Sequence, residues 1–245
     1  MSTEEAVVAL FAILAGSLLK SISGVGLPLV AVPAISYVAG IETAVAVTAI
    51  PNLAINGAMA RRERGSASET RDLPVLGVAG FLGAIAGTVL LVSLPEEGLI
   101  LLLVAVVVAY AVTFFTNPEF RIAPARARRL APAVGGSAGL MQGAVGISGP
   151  IVASWIHAYR LPRGAHIFSV TTLFALAGVA QVPALVVSGE MDGLWIVALI
   201  GCVPALATVP IGARLRNALS AENFDRFVVV TLLVSVIGLA IRTFV

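Results

Sequence analysis

The sequence predicts an all-α integral membrane protein made of two inverted repeats, each holding one broken, re-entrant helix pair plus three transmembrane helices. Three observations lead there: a composition unsuited to water, apolar blocks of membrane-spanning length, and arginines that share one face once two glycine-rich breaks are counted as returns. Of 245 residues, 59% are hydrophobic and 11% charged, with a mean hydropathy of +1.04. A soluble domain carries about 25% charged residues because its surface meets water. This surface is expected to meet lipid.

Apolar runs between charged or Pro/Gly breaks cover 6–22, 27–38, 43–60, 73–94, 98–115, 131–145, 150–157, 165–187, 193–211 and 224–244. Six of them suit the roughly 20 residues that a helix needs to cross the hydrocarbon core. The other four form two adjacent pairs, one interrupted by Ser23-Gly24-Val25-Gly26 and the other by Gly146-Ile147-Ser148-Gly149. The second arm of each pair is too short to span comfortably. The acidic start, Met1 to Glu5, has no basic region of a secretory signal, so the first apolar block is expected to stay in the fold.

Loops rich in Lys and Arg stay cytoplasmic. Arg61, Arg62, Arg64 and Arg71 form one cluster, Arg121, Arg126, Arg128 and Arg129 a second, Arg160 and Arg163 a third, and Arg214, Arg216 and Arg226 a fourth. If each broken pair leaves on the side it entered, all of these share one face and Arg242 lies on the other. Each half then has an odd number of remaining spans, so the halves are inverted, as in many secondary transporters. The expected layout is a first repeat at 1–118, a basic cytoplasmic linker at 119–130 and a second repeat at 131–245, in the cytoplasmic membrane with both termini outside. Gly16-Ser17 with Val25-Gly26 recurs at a constant offset as Gly136-Ser137 with Val145-Gly146, and Val47-Thr48 with Leu53 resembles Val170-Thr171 with Leu176. This order suggests a duplicated unit.

Non-helical backbone inside a membrane survives where protein or a water-filled cavity satisfies it. Helix N-termini at such breaks expose N–H groups that attract anions. The polar residues within the spans are consistent with that chemistry. Thr48, Asn52 and Asn56 recur every fourth residue on one helix face, Thr171 occupies the related place in the second half, and Gln142 lies one turn before the second break. Interhelical hydrogen bonding is the alternative for these side chains. Lys20, within an apolar segment before the first break, is a candidate partner for an anion; the alternative is a lysine that snorkels to the interface. The acidic residues Glu42, Glu96, Glu97, Glu190 and Asp192 fall at loop positions, which disfavours cation transport and carboxylate proton relays. The candidate substrate-binding set is Lys20, Ser23, Gly24, Val25, Gly26, Thr48 and Asn52 from the first half, and Gln142, Gly146, Ile147, Ser148, Gly149 and Thr171 from the second.

The two breaks with their following prolines, Ser23-Gly24-Val25-Gly26-Leu27-Pro28 and Gly143-Ala144-Val145-Gly146-Ile147-Ser148-Gly149-Pro150, resemble those of the sulfite exporter TauE/SafE family of membrane permeases. The size and the layout of hydrophobic units are similar too, although the first break has fewer glycines than is usual there. The resemblance implies a secondary transporter for sulfite, a sulfonate or a related small organic anion.

Two other classes compete. Gly146-Ile147-Ser148-Gly149 fits the G-x-S-G pattern of rhomboid-like intramembrane serine proteases, but His157 and His166 are poorly spaced to serve Ser148 as a base. A non-transporting membrane scaffold would use the same bundle without needing paired breaks. Cys202 is the only cysteine, which excludes an internal disulfide and a cysteine-rich metal site. No cofactor or metal is expected. The expected partners are a small anionic substrate and the lipid bilayer, with no nucleic acid despite a pI near 9.1; a homo-oligomer is neither required nor excluded.

Overall fold

The computed structural model of the protein describes residues 1–116, 122–215, 237 and 241, and within them all regular secondary structure is helical. The first broken pair is α1 (Thr3–Ser23) and α2 (Leu27–Ala39), followed by α3 (Ile41–Arg62). A 3-10 turn at Arg64–Glu69 leads into α4 (Leu73–Ser93) and α5 (Glu96–Thr116). The second half begins with α6 (Pro124–Val145) and α7 (Gly149–Ala158), and continues through α8 (Arg163–Val187) and α9 (Trp195–Leu215). The span expected at 224–244 lies outside the described residues, apart from 237 and 241.

Helix lengths refine the sequence reading. Five helices, α1, α3, α4, α8 and α9, are long and apolar enough to cross a membrane, so the first arm of the first pair is itself of spanning length. By contrast α2 has 13 residues and α7 has 10, about 20 and 15 Å at 1.5 Å per residue, short of the roughly 30 Å core. Helix α6 begins at Pro124, so Arg126, Arg128 and Arg129 belong to its first turns and not to an extended linker.

The outside of the bundle is apolar. On α4 the exposed residues Val78, Leu82, Ile85 and Val89 follow helical spacing and make a stripe, and α9 exposes Ile196, Leu199 and Val203. A lipid-facing surface has this character, since nothing outside needs hydrogen bonds. Interior contacts instead use small residues. Helix α6 packs most extensively on α4, where a Cβ on Gly135 would meet Leu76, one on Gly139 would meet the backbone of Gly80, and one on Gly143 would meet Ala84 and Gly87. Both helices advance together along this contact, so they run parallel, with backbones closer than any side chain permits.

A related arrangement pairs α1 with α9, where Gly201 faces Ile13 and Gly212 faces Ser21, again in parallel. Helix α8 packs on α4, α9 packs on α3, and α3 and α8 pack on each other. The loops rich in arginine converge at one end. Tyr159 donates to the Asp72 carboxylate at 3.1 Å and Gly164 lies against Ser66, joining the α3–α4 and α7–α8 connections. The parallel course of α4 and α6 brings the N-terminal arginines of α6 to that same end.

A central cavity where the two helix breaks meet

Each break is made by a left-handed glycine that ends a helix. Gly24 (φ 89°) sends its N–H back to the Lys20 carbonyl at 2.7 Å, and Gly146 (φ 71°) does the same to the Gln142 carbonyl at 3.0 Å. Only glycine adopts this conformation at little strain. The geometry corrects the sequence alignment of the halves, which matched Gly26 with Gly146. By local structure Gly24 corresponds to Gly146, Lys20 to Gln142, and Gly26, the N-cap of α2, to Ser148, the N-cap of α7. The Gly-Ser match fails for the same reason: Ser17 is buried and Ser137 is exposed.

The two breaks touch. The Val25 side chain sits 2.5 Å from where a Cβ on Gly149 would be, so the short helices α2 and α7 begin side by side. Neither has a side-chain cap, and both carry proline in the first turn. Amides of a first helical turn have no acceptor in their own helix. In these two helices Pro28 and Pro150 contribute no N–H, and the Ile151 N–H bonds the Ser148 carbonyl at 3.1 Å.

A small cavity lies at the meeting of the two breaks. Of the residues singled out in the sequence, Lys20, Val25, Gly26, Asn52, Gln142, Ile147, Ser148 and Gly149 line it, joined by Pro28, Leu29 and Phe174. Lys20 is 1% exposed, so its head turns into the protein and does not snorkel. Its ammonium donates to the Gly24 carbonyl at 3.4 Å and stands 4.3 Å above the Phe174 ring. Among the described residues no carboxylate lines the cavity.

Gln142 and Ser148 form a neutral network in the same wall. Ser148 donates its hydroxyl to Gln142 Oε1 at 2.8 Å, Gln142 Nε2 donates to Gln181 Oε1 at 3.2 Å, and Gln181 Nε2 donates to the Gln142 backbone carbonyl at 2.8 Å. Gln181 thereby clamps both the side chain and the backbone at the end of α6. Asn52 accepts from Asn56 Nδ2 at 3.0 Å. Among the described residues the Ser148 hydroxyl thus has an amide oxygen as its partner, not the base with which a serine nucleophile is paired.

The remaining sequence candidates lie behind the wall. Ser23 satisfies the first break internally, accepting the Val25 N–H at 3.2 Å and donating to the Val25 carbonyl at 2.5 Å. Thr48 and Thr171 donate to carbonyls one turn earlier, Ala44 at 2.8 Å and Ile167 at 2.7 Å, as intrahelical threonines commonly do. Gly24 and Gly146 terminate helices, and a Cβ on Gly146 would face Val32 and Val45 in the core. Phe174 was not a sequence candidate, because a phenylalanine in an apolar helix carries no local signal.

Spanning-length helices wrapped around a small cavity between two helix breaks are the architecture of a polytopic membrane protein. The chain belongs to the sulfite exporter TauE/SafE family, whose model matches residues 8–239 and so includes both breaks. No curated protein and no solved structure matches the chain.

Proposed function

We propose that this protein is a secondary transporter that binds a small anion, sulfite or an organic sulfonate, in the central cavity between the two breaks. The observation that carries the reading is Lys20: a buried basic side chain among helix N-termini without side-chain caps, in a cavity lined by no acidic side chain among the described residues. A buried charge is costly unless it is paired. A substrate anion would supply the missing charge, and the first-turn amides of α2 and α7 would supply further donors. The hydroxyl of Ser148 and the amides of Asn52 and Gln142 would add neutral hydrogen bonds.

The inverted-repeat plan belongs to this proposal. It is supported by the similar construction of the breaks and by the packing, in which α1 with α9 and α3 with α9 have counterparts in α6 with α4 and α8 with α4. The arginine-rich end is taken as cytoplasmic on the same footing. Cysteines placed at Ser2 and Ser68 with Cys202 replaced by serine should then react oppositely with an impermeant maleimide on intact cells, Ser2 labelled and Ser68 protected. The reverse pattern would refute this orientation.

The transport reading is tested by flux into proteoliposomes containing the purified protein, across sulfite, sulfate, short sulfonates, short carboxylates and a cation control. Saturable flux of at least one anion, abolished or strongly reduced by Lys20→Met, is expected. Absence of flux for every anion in protein that retains its thermal stability would leave a scaffold role as the better account.

A further inference from the structure

The central cavity has room for about one water, so an oxyanion enters only when part of the wall moves. Much of the wall is fixed by backbone contact. Helix α6 presses on α4 through glycines, and α2 begins with the Leu27 carbonyl oxygen 2.6 Å from where a Cβ on Gly16 of α1 would be. Helix α7 is held differently. It has 10 residues, and at its start a Cβ on Gly149 would meet the side chains of Val25 and Leu29. Behind it, a cleft between α4, α6, α7 and α8 has room for about one or two waters and is lined by Ser148, Trp155 and Phe174. A short helix bounded by side chains and a cleft shifts at lower cost than one bounded by backbone.

Polar bonds hold the far end of α7. The Trp155 indole N–H donates to the Tyr159 hydroxyl at 2.8 Å, and that hydroxyl donates to Asp72 Oδ2 at 3.1 Å. Arg71 covers the Tyr159 ring, its guanidinium 5.1 Å from the ring centre, and its Nε lies 3.7 Å from the same carboxylate oxygen. Asp72 is the N-cap residue of α4, a position where aspartate ordinarily has extended backbone and accepts an N–H of the first turn. Here it has left-handed backbone (φ 51°, ψ 14°) and makes no capping bond to α4. The carboxylate serves α7 instead. It thus has two alternative partners, one within α4 and one across to α7, and a switching element needs such a pair of arrangements.

We propose that α7 is the gate on the arginine-rich side of the cavity and that Asp72 is its latch. In the closed state Asp72 holds Tyr159, and α7 shields Ser148 from that side. In the open state Tyr159 is released, the cleft beside Trp155 widens toward Ser148, and Asp72 turns back to cap α4. The cap gained offsets part of the bond lost, which keeps the two states close enough for a substrate to shift their populations. This rests on the transporter reading above and supplies its moving part.

The test places a cysteine at Ser148, with Cys202 replaced by serine, and follows its labelling by a membrane-impermeant methanethiosulfonate. In inside-out vesicles the reagent meets the arginine-rich face. Tyr159→Phe keeps the ring and removes the hydroxyl; Asp72→Ser can cap α4 but is too short to reach Tyr159. Loss of one closed-state hydrogen bond should raise the labelling rate about fivefold in Tyr159→Phe, and more in Asp72→Ser, which also gains a cap. Asp72→Asn retains an acceptor for Tyr159 and should label at nearly the parent rate. In right-side-out vesicles none of the three should label faster. Unchanged labelling in both Tyr159→Phe and Asp72→Ser, while the wild-type protein transports sulfite in proteoliposomes, would overturn the gate and leave the transporter standing. Faster labelling from both faces alike would indicate a loosened bundle and overturn it too. If Asp72→Ser fails to fold, Tyr159→Phe decides, since it leaves Asp72 beside Arg71. Absence of flux for every anion in the wild-type protein would instead refute the transporter on which the gate rests.

Discussion

The two breaks have similar backbones and opposite solutions for their side chains. In each a left-handed glycine ends a helix and a proline-bearing short helix begins. The first break is self-sufficient: Ser23 satisfies the backbone around Val25, and the position one turn before the glycine is Lys20, a charge with only a carbonyl and an aromatic face beside it. The second is tied to a neighbouring helix: the equivalent position is Gln142, held at backbone and side chain by Gln181 of α8 and bonded to Ser148. One break brings a basic side chain with no carboxylate beside it among the described residues, and the other brings fixed neutral polarity. Similar backbone caps can thus carry different side-chain chemistry, which the backbone does not dictate.

The largest effect should come from the charged side. Lys20→Met keeps the apolar stem and removes the ammonium, so substrate binding should weaken by roughly 1.5–3 kcal/mol, about ten- to a hundredfold in Kd. The folded state should be retained, since no carboxylate at the cavity is left unpaired. Equilibrium binding in nanodiscs with a parallel melting curve measures both. Unchanged affinity for every bound anion would erase the proposed difference between the breaks.

On the neutral side the effect should fall first on stability. Gln181→Leu leaves the Gln142 amide without its buried partner, a loss of about 1–3 kcal/mol for each unsatisfied group, visible as a lower Tm. Replacing both Gln142 and Gln181 by leucine should recover much of that stability, because two apolar groups no longer strand a polar one, while anion affinity stays reduced. Recovery of affinity together with stability would show that the network only holds helices together.

The smallest effect separates the glycines. Gly24→Ala imposes left-handed strain of roughly 1–2 kcal/mol, with nothing within 4 Å of the new methyl group. Gly146→Ala carries the same strain and also pushes on Val32, 3.1 Å away. It should therefore melt lower than Gly24→Ala, with binding lost only in step with folding. Equal melting temperatures for the two variants would contradict the packing difference described for the breaks.

Membrane residence, helical class and the places where helices break were all legible in the chain, because they depend on local quantities. Run lengths of apolar residues set what can span, and glycines followed by proline set where a helix stops and the next begins. Eight residues now found on the cavity wall were identified from the same local cues of polarity and glycine content. The sequence could not align the two halves correctly: Gly26 resembled Gly146, whereas the cap geometry pairs Gly24 with it, two positions away. A cap is defined by dihedral angles and by the carbonyl it bonds, and neither is written in residue identity. Nor could the sequence predict that Thr48 and Thr171 spend their hydroxyls on their own helices, or that Phe174 meets Lys20 across 154 positions of chain. Helix lengths and breaks arise from interactions within a few residues, so the sequence by itself determined them. The meeting of Val25 with Gly149 and the inward turn of Lys20 depend on how separate helices pack, and only the tertiary structure decided those.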